Sequence, residues 1–422
     1  MATIEDLDVV ILGGGVAGLG AALKARELGR RAVIFEARAS AGGLLDNFSI
    51  DGFRFDHAVH LSFASEEKVR AIFDRTPYLT HPADSYCFEA GRWLKHPVQN
   101  NLAPLPAADK VALIKSFLAR PAELAGDDYE SWLRHQYGDG IAERYPLRYT
   151  EKYWATPASA LSTTWIGQRM RRAELDEILF GAMTTETPNT YYTKEMRYPR
   201  QGGYKAFIAP LIADSEMRLQ HCAVAIDTDE RTVRFANGAL VRYRQLVSTL
   251  PLPVLARLAP AMPAPVRQAA QQLKASAIDL VSVGFSKPLI KDLWFYIYDE
   301  EILAARAYSP SVKSPDNAPP GCSSLQFEIY SRGEQSRYTA EEVIANTRAA
   351  LVKLGIGRPE DVLFVDHRVL PFGNVIFDLG MEGHRQSVLE WAASVGIASC
   401  GRFGAWDYLW SNQSLLSGYN AL

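Results

Sequence analysis

The sequence predicts an α/β fold with a helical insert and a separate antiparallel β-sheet domain. Three observations predict it. The first 36 residues run strand, glycine turn, helix, strand and acidic residue. Residues 104–185 carry helical periodicity broken by prolines. From Arg197 onward β-rich sequence returns, and a second glycine turn followed by a helix closes the chain.

The first element is DVVILGGGVAGLGAALKARELGRRAVIFE, Asp8 to Glu36. Asp8 to Leu12 is β-branched and apolar, the pattern of a buried strand. Gly13, Gly15 and Gly18 follow at G-x-G-x-x-G spacing, and Ala17 to Leu28 has helical periodicity. Gly13 permits the tight turn, Gly15 lets a pyrophosphate approach the backbone, and Gly18 lets helix and strand pack closely. The phosphates then meet the positive end of the helix. Arg31 to Phe35 forms a second strand, and Glu36 stands where a carboxylate accepts hydrogen bonds from a ribose. A glycine triplet alone is a weak signal. Its place between strand and helix, with the acid after the second strand, predicts a Rossmann-like dinucleotide site.

Composition narrows the class. A chain of 422 residues holds two or three domains and a large core. Hydrophobic content of 48% and charged content of 22% are those of a globular protein. The net charge of −3 gives no electrostatic reason to expect nucleic acid or an acidic membrane as partner. Any anion site must come from a few local arginines. Cys87, Cys222, Cys322 and Cys400 are far apart and lack metal spacing, so they read as free thiols in a reducing compartment, and no metal site is expected. No apolar run approaches the ~20 residues of a membrane span. The glycine motif lies too near Met1 to leave room for a signal peptide, so a cytoplasmic location is expected.

The remaining elements follow in order. Gly42 and Gly43 sit where a second loop passes close to the dinucleotide. Asp51 to Asp56 alternates as a strand with Phe53 and Phe55 inward, and His57 and His60 follow near the cofactor end. Tyr86 to Trp93 reads as strand, turn and strand around Gly91. Ala107 to Leu124 is helical by pattern with Pro121 cutting it, and Tyr129 to Gly138 and Glu174 to Leu179 are further helices. Pro104, Pro106, Pro146 and Pro157 mark the joints between them. Leu219 to Val224 and Thr232 to Phe235 flank an acidic turn, Asn237-Gly238 signals a hairpin turn, and Gln245 to Thr249 returns to the N-terminal sheet. Ala277 to Phe285, Trp294 to Tyr298 and Ser324 to Tyr330 are strands of a separate sheet. Ala340 to Leu354 is an amphipathic helix and Val362 to Val369 a strand. In the closing GRFGAWDYLWSNQSLLSGYNAL, Gly401 and Gly404 bracket Arg402 before a helix with Asn412 and Gln413 near its start. Such a returning glycine turn, with Gly42, Gly43 and DGFRFD, points to FAD more than to NAD. The expected division is a discontinuous FAD-binding domain (1–82, 212–270 and 355–422), a helical insert (104–185) and a β-sheet substrate domain (83–103, 186–211 and 271–354).

From Val9 to about Ala421 the chain resembles the flavin-dependent UDP-galactopyranose mutases, nearest to the eukaryotic type. The resemblance rests on GRWLKHPVQNN (Gly91 to Asn101), EKYWATPASALSTTWIGQRM (Glu151 to Met170), RYPRQGGYKAF (Arg197 to Phe207), the spacing of Trp294, Tyr296 and Arg306, and GRFGAWDY with Asn412-Gln413. It implies an isomerase that binds FAD and works with the reduced form, NAD(P)H or another reductant supplying the electrons. Reduced flavin N5 attacks the anomeric carbon of a nucleotide-diphosphate sugar, and pyranose and furanose forms interconvert without net redox. Charge builds on the leaving diphosphate, where fixed guanidinium forks lower the barrier. Arg169 and Arg306 match the family's diphosphate arginines. His60 matches a histidine beside the flavin, completing the catalytic set. Trp154, Tyr296, Tyr408, Gln99, His96 and Asn100 match substrate-binding positions. The implied flavin contacts are Gly13, Gly15, Gly18, Glu36, Arg38, Gly42, Gly43, His60, Val224, Gly401, Arg402, Asn412 and Gln413.

The chain also departs from that pattern. Ala58 and Val59 stand where the family has two glycines before the flavin-side histidine. Leu370 replaces a phosphate-binding tyrosine, Val98 an aromatic near the base, His96 a tyrosine and Phe88 an arginine. The departures imply a different nucleotide or sugar. Two other readings share the scaffold: an FAD oxidoreductase of the amine-oxidase or protoporphyrinogen-oxidase type, and a flavin-binding protein without catalysis. The sequence leaves sugar, base, reductant and any homo-oligomeric assembly open.

Overall fold

The computed structural model describes residues 4–167, 170, 174–189 and 195–422. The Glu5–Leu12 strand lies at the centre of the first sheet. It pairs in parallel with Ala32–Phe35 on one side and with Leu240–Ser248 on the other, in the register Val9 to Ala32 and Val9 to Gln245. The strand order is Ala223–Asp227, Thr232–Phe235, Leu240–Ser248, Glu5–Leu12, Ala32–Phe35 and Glu216–Arg218, with Ile397–Ser399 also paired to Leu240–Ser248. Val9 to Leu12 and Val33 to Phe35 are buried without interruption, as strands covered on both faces must be. The N-terminal turn therefore sits at the end of a sheet completed by sequence more than 200 residues later.

The helix Val16–Glu27 packs backbone to backbone against the C-terminal helix Ser411–Tyr419. A Cβ on Gly20 would lie 2.1 Å from Leu415 O, and one on Gly418 only 1.8 Å from Ala17 O. Close approach of these two glycines carries the end of the chain back to its first glycine turn.

The second sheet runs Val362–Val375, Ala275–Phe285, Ser323–Arg332, Arg306–Tyr308, Trp294–Ile297, Tyr86–Glu89 and Arg92–Lys95. Its pairs are antiparallel except Trp294–Ile297 with Tyr86–Glu89, which is parallel. The Ala275–Phe285 strand, next to the edge strand Val362–Val375, is buried throughout because its faces serve different cores. Val281, Val283 and Phe285 pack with Val343, Leu351 and Leu354 of the helix Ala340–Leu354, whereas Ile278 and Leu280 join the core that reaches the N-terminal sheet. The sequence expects 355–422 in the FAD-binding domain. Its Val362–Val375 segment instead pairs along Ala275–Phe285, so this strand belongs to the second sheet.

The insert consists of Ala107–Leu118, Tyr129–Arg144, Pro146–Trp154 and Leu175–Met183. Pro146 marks the joint between Tyr129–Arg144 and the next helix, which it starts, because a first-turn proline lacks only an N–H that the helix does not use. Gly138 breaks its helix at φ 73°, where an added Cβ would strike Ser116 O at 2.3 Å. Arg144 fastens the insert to the second sheet by a two-pronged bond to Glu89, at 2.7 and 3.0 Å. All four cysteines are free. Among the described residues no helix is long and apolar enough to cross a membrane, and no cluster of side chains could hold a metal ion.

Candidate active site

A cleft of about 480 Å³ lies between the two sheets. One wall is made of glycine turns. Gly13 takes φ +105°, a region side chains rarely adopt, and a Cβ there would lie 2.2 Å from Thr249 Oγ1. Gly15 and Gly42 bridge in parallel, so the two glycine loops face one mouth. Gly43 (φ +59°) leaves room of the same kind, since its Cβ would sit 3.1 Å from Gly15 Cα. Gly15 caps the helix Val16–Glu27 with no side chain, so its first amides meet the cleft uncapped. The buried Glu36 carboxylate accepts the N–H of Gly14 at 2.7 Å and of Arg38 at 2.9 Å, which fixes its direction.

Arg402 closes this wall from the C-terminus. It donates to Leu409 O at 2.9 Å and Asn374 Oδ1 at 2.6 Å, and its guanidinium covers the Tyr408 ring at 4.7 Å. Buried polar atoms of three cleft-lining residues, Arg402 Nε, Asn374 Nδ2 and Tyr308 Oη, find no hydrogen-bond partner among the described residues. Buried polar groups are normally satisfied. The glycine cradle, the uncapped amides, the aimed Glu36 and these atoms fit a bound dinucleotide of the flavin type.

His60 lies at the junction of the walls. Its Nε2 is 2.7 Å from Leu44 O, so that nitrogen carries the proton and donates it to the carbonyl. Desolvation by the wall lowers its pKa to about 4, and the ring is neutral at physiological pH. Behind it lies a buried pair, Lys313 and Asp56, 3.5 Å apart with both side chains out of solvent. Asp56 also accepts Tyr198 Oη–H at 2.7 Å and the Tyr204 N–H at 3.0 Å. Burial lowers Lys313 to about 8 against the attraction of Asp56.

The opposite wall is made of side chains from distant elements. Arg306 and Tyr296 come from adjacent strands, Tyr330 from Ser323–Arg332, Ile278 from Ala275–Phe285, Tyr153 from the insert, Leu370 and Phe372 from the Val362–Val375 strand, and Tyr408 from the C-terminal turn. Tyr153 and Tyr408 share a hydroxyl–hydroxyl bond of 2.8 Å. Arg306 is ion-paired with the wholly buried Glu328 and donates to Tyr330 Oη at 3.1 Å. Glu328 further accepts the Val59 N–H at 2.8 Å and the Tyr330 hydroxyl. Burial pushes the Glu328 carboxyl up, but the Arg306 charge and these hydrogen bonds outweigh it and hold it below the ordinary value. Ala58, beside this contact, adopts φ 74°.

Of the residues the sequence reading singles out, Gly13, Gly15, Glu36, Arg38, Gly42, Gly43, His60, Gly401, Arg402, Tyr296, Arg306 and Tyr408 line one cleft. Arg169 lies outside the described residues. Several others are not brought to the cleft. Gly18 serves packing, since its Cβ would meet Gly13 O at 2.0 Å. Val224 is exposed at a register shift of its strand. Asn412 holds the Glu66 carboxylate at 2.9 Å, and Gln413 accepts the Trp410 N–H at 2.9 Å to cap its helix. Trp154 is core, packed on Trp165 (5.0 Å) and Tyr408 (5.6 Å) one layer behind the wall. His96, Gln99 and Asn100 lie around the turn Val98–Asn100, also behind it. The His96 ring lies tilted against Tyr296 at 4.6 Å, Asn100 holds Glu177 at 3.0 Å, and Val98 is buried core. The sequence reading missed Tyr153, Tyr308, Tyr330, Glu328 and Asn374. Glu328 left no signal, because it falls in phase with Gln326 on the polar side of the alternation LQFEIY, where a solvated side chain is expected.

The comparisons agree with this geometry. A solved reduced UDP-galactopyranose mutase matches with a TM-score of 0.90 and 26% identity, covering 98% of this chain and 94% of that one. A candidate protoporphyrinogen oxidase from Exiguobacterium sp. 255-15 matches with a TM-score of 0.75 at 18% identity, covering 99% and 98%. All-trans-retinol 13,14-reductase of Danio rerio is 33% identical over 73 residues, which span 17% of this chain and only 12% of the relative. The fold is that of the FAD-dependent oxidoreductases, and the chain is a flavoprotein similar to UDP-galactopyranose mutase. Because the model of the flavin containing amine oxidoreductases matches residues 16–372, most of the sequence, the chain belongs to that family.

Proposed function

We propose that the protein is an FAD-dependent isomerase that interconverts the pyranose and furanose forms of a nucleotide-diphosphate sugar. The observation that carries this reading is the likeness to reduced UDP-galactopyranose mutase over 98% of the chain. FAD, when bound and reduced, supplies the nucleophile for the anomeric carbon. The chain's own residues do the rest. The amides at Gly15 and Val16 receive the cofactor pyrophosphate, and Glu36 takes the ribose. Arg306, Tyr330, Tyr296 and Tyr408 bind and orient the substrate diphosphate, with Arg169 as a second cation. Each hydrogen bond to that charged group is worth roughly 1.5–3 kcal/mol. Neutral His60 keeps a second positive charge away from the cofactor, and Leu370, Phe372 and Ile278 exclude water. A small nucleotide sugar is the partner in this reading, and neither nucleic acid nor membrane has a role.

A second reading is an oxidoreductase that exchanges a hydride with its substrate. Family membership supports it, as do the neutralisation of Arg306 by Glu328 and the apolar Leu370 on the same wall. The two separate in an anaerobic assay of dithionite-reduced enzyme with a panel of nucleotide-diphosphate hexoses. The mutase reading expects many turnovers with no electron acceptor. Turnover only with an acceptor would replace it by the oxidoreductase reading. Arg306→Ala should cut turnover at least ~100-fold, the scale of one lost transition-state donor. It also strips Glu328 of its cation, so FAD content must be measured alongside. Arg306→Lys keeps the charge and should fall between.

A further inference from the structure

Among the described residues of the helical insert, Tyr153 is the one that lines the cleft. We infer that Tyr153 is a ligand-contacting residue, and that its hydroxyl and that of Tyr408 form a paired donor that opens onto one phosphoryl group of the substrate. The inference rests on the reading of this wall as the diphosphate site.

Tyr153 lies in the last turn of the helix Pro146–Trp154, and its ring is held from several directions. Tyr149, one turn earlier, stacks on it at 5.6 Å, Tyr330 leans on it at 4.8 Å, and the Arg306 guanidinium lies 5.1 Å from its centre. Its hydroxyl meets the Tyr408 hydroxyl at 2.8 Å, and either oxygen can be the donor. Two hydroxyls carry two protons, and the bond between them uses one. Without a ligand the pair thus satisfies part of its own polarity inside a buried wall. An anion changes the balance. Two donors 2.8 Å apart stand side by side as the N–H groups of a guanidinium fork do, so two oxygens of one phosphoryl group can take both protons. One neutral hydrogen bond is then exchanged for two to a charged acceptor, each about twice as strong. The surroundings favour the exchange. Arg306 faces the Tyr153 ring and Arg402 the Tyr408 ring at 4.7 Å, so charge bound at the pair meets two guanidinium groups. Burial and the Tyr408 hydroxyl hold the Tyr153 phenol above the ordinary tyrosine range, against the charges of Arg306 and Arg402, and the proton is kept for donation. The nearby Tyr330 hydroxyl is not equivalent. It gives its proton to Glu328 and acts on a ligand through Arg306. Leu370, where the chain departs from a phosphate-binding tyrosine, brings no donor to this wall. The insert supplies a hydroxyl from a different element.

The test is a double-mutant cycle on FAD-loaded protein, with the Kd of inorganic pyrophosphate measured by calorimetry. Tyr153→Phe and Tyr408→Phe should each weaken binding roughly fivefold to tenfold, the worth of a charged hydrogen bond less that of the neutral one that no longer has to open. That saving is made in each single variant but only once in the double. The double variant should therefore lose more than the product of the two single losses, by about fivefold, the worth of one neutral hydrogen bond. FAD content is measured in every variant. If Tyr153→Phe loses the cofactor, Tyr153→Met, which fills the space without a hydroxyl, takes its place in the cycle. A Kd within about twofold of wild type for the Tyr153 variant, the scatter of independent sites, means that Tyr153 only packs, and overturns the inference while sparing the diphosphate reading. A double loss no larger than the product shows that the hydroxyls do not open together and overturns it as well. Absence of saturable pyrophosphate binding to wild type removes the diphosphate reading of this wall and the inference with it.

Discussion

The two walls of the cleft are built in opposite ways. The cofactor wall is mostly backbone: glycine turns, uncapped amides and one carboxylate, nearly all within Gly13 to Gly43. The wall proposed to take the substrate is mostly side chains, gathered from one helix, five strands and a turn between Tyr153 and Tyr408. A backbone site needs particular residue types at fixed spacing, because only glycine permits the conformation or the approach. A side-chain site needs only that the right atoms arrive, and many sequences can bring them. The first kind is brittle and readable, whereas the second is tolerant and hard to read.

That contrast predicts where substitutions act. Gly18→Val should have the largest effect. Its Cβ has no space, with Gly13 O 2.0 Å away and Ile11 Cγ2 at 3.3 Å, and backbone cannot swing aside as a side chain can. We expect a cost above ~4 kcal/mol, the range of exceptional substitutions, seen as loss of soluble protein or of stoichiometric FAD. A Gly18→Val protein that folds with full flavin would show that the cofactor wall is not brittle.

Legibility followed the same divide. Gly13 and Gly15 of the glycine turn, Glu36, the Gly42–Gly43 loop and Arg402 reach the cleft, and Gly18 packs the helix against the turn, because sequence spacing fixes backbone geometry. The substrate residues matched by family motif divided. Arg306, Tyr296 and Tyr408 line the cleft, but Trp154, His96, Gln99 and Asn100 stand one layer back. Motifs mark a neighbourhood, and whether a ring faces the cleft or the layer behind depends on the packing of the insert. Glu328 and Lys313 were unreadable because their meaning lies in partners 22 and 257 residues away. The long Val362–Val375 strand was mis-grouped for a related reason: strand pairing between residues 77 to 100 apart leaves no local trace.

Lys313→Met probes the buried polar layer behind both walls. The methionine fills similar volume but leaves Asp56 with a buried charge and no cation. Breaking a buried pair from one side costs about 3–5 kcal/mol. The loss should appear as a lower midpoint in urea with an unchanged slope. Adding Asp56→Asn should recover part of it, because the remaining pair of side chains is then neutral. If Lys313→Met alone is as stable as wild type, the pair adds nothing and the lysine is spare.

The smallest effect is expected at His96, where the two accounts of the substrate wall differ most. The sequence reading makes it a substrate-binding side chain. Its ring, however, packs 4.6 Å from Tyr296 and lies outside the cleft lining, and burial lowers its pKa to about 4 from an ordinary 6.5. The sign follows from that depression. Above about pH 6.5 the ring is neutral in folded and unfolded chains alike, and it adds no pH dependence. As pH falls from there toward 4, the unfolded chain binds the proton first, and stability is lost across this window. Burial depresses His60 in the same direction, so the wild type should lose stability steadily on acidification. Phenylalanine keeps a ring against Tyr296 and removes one titration. His96→Phe should therefore melt within a few degrees of wild type near neutral pH and lose less of its Tm between pH 6.5 and about 5, by up to ~1.4 kcal/mol per pH unit crossed. Nucleotide affinity should change less than about threefold. If the acid limb is unchanged and affinity for the preferred nucleotide drops tenfold, about 1.4 kcal/mol, then His96 reads the base from behind Tyr296, and the substrate wall is two layers deep.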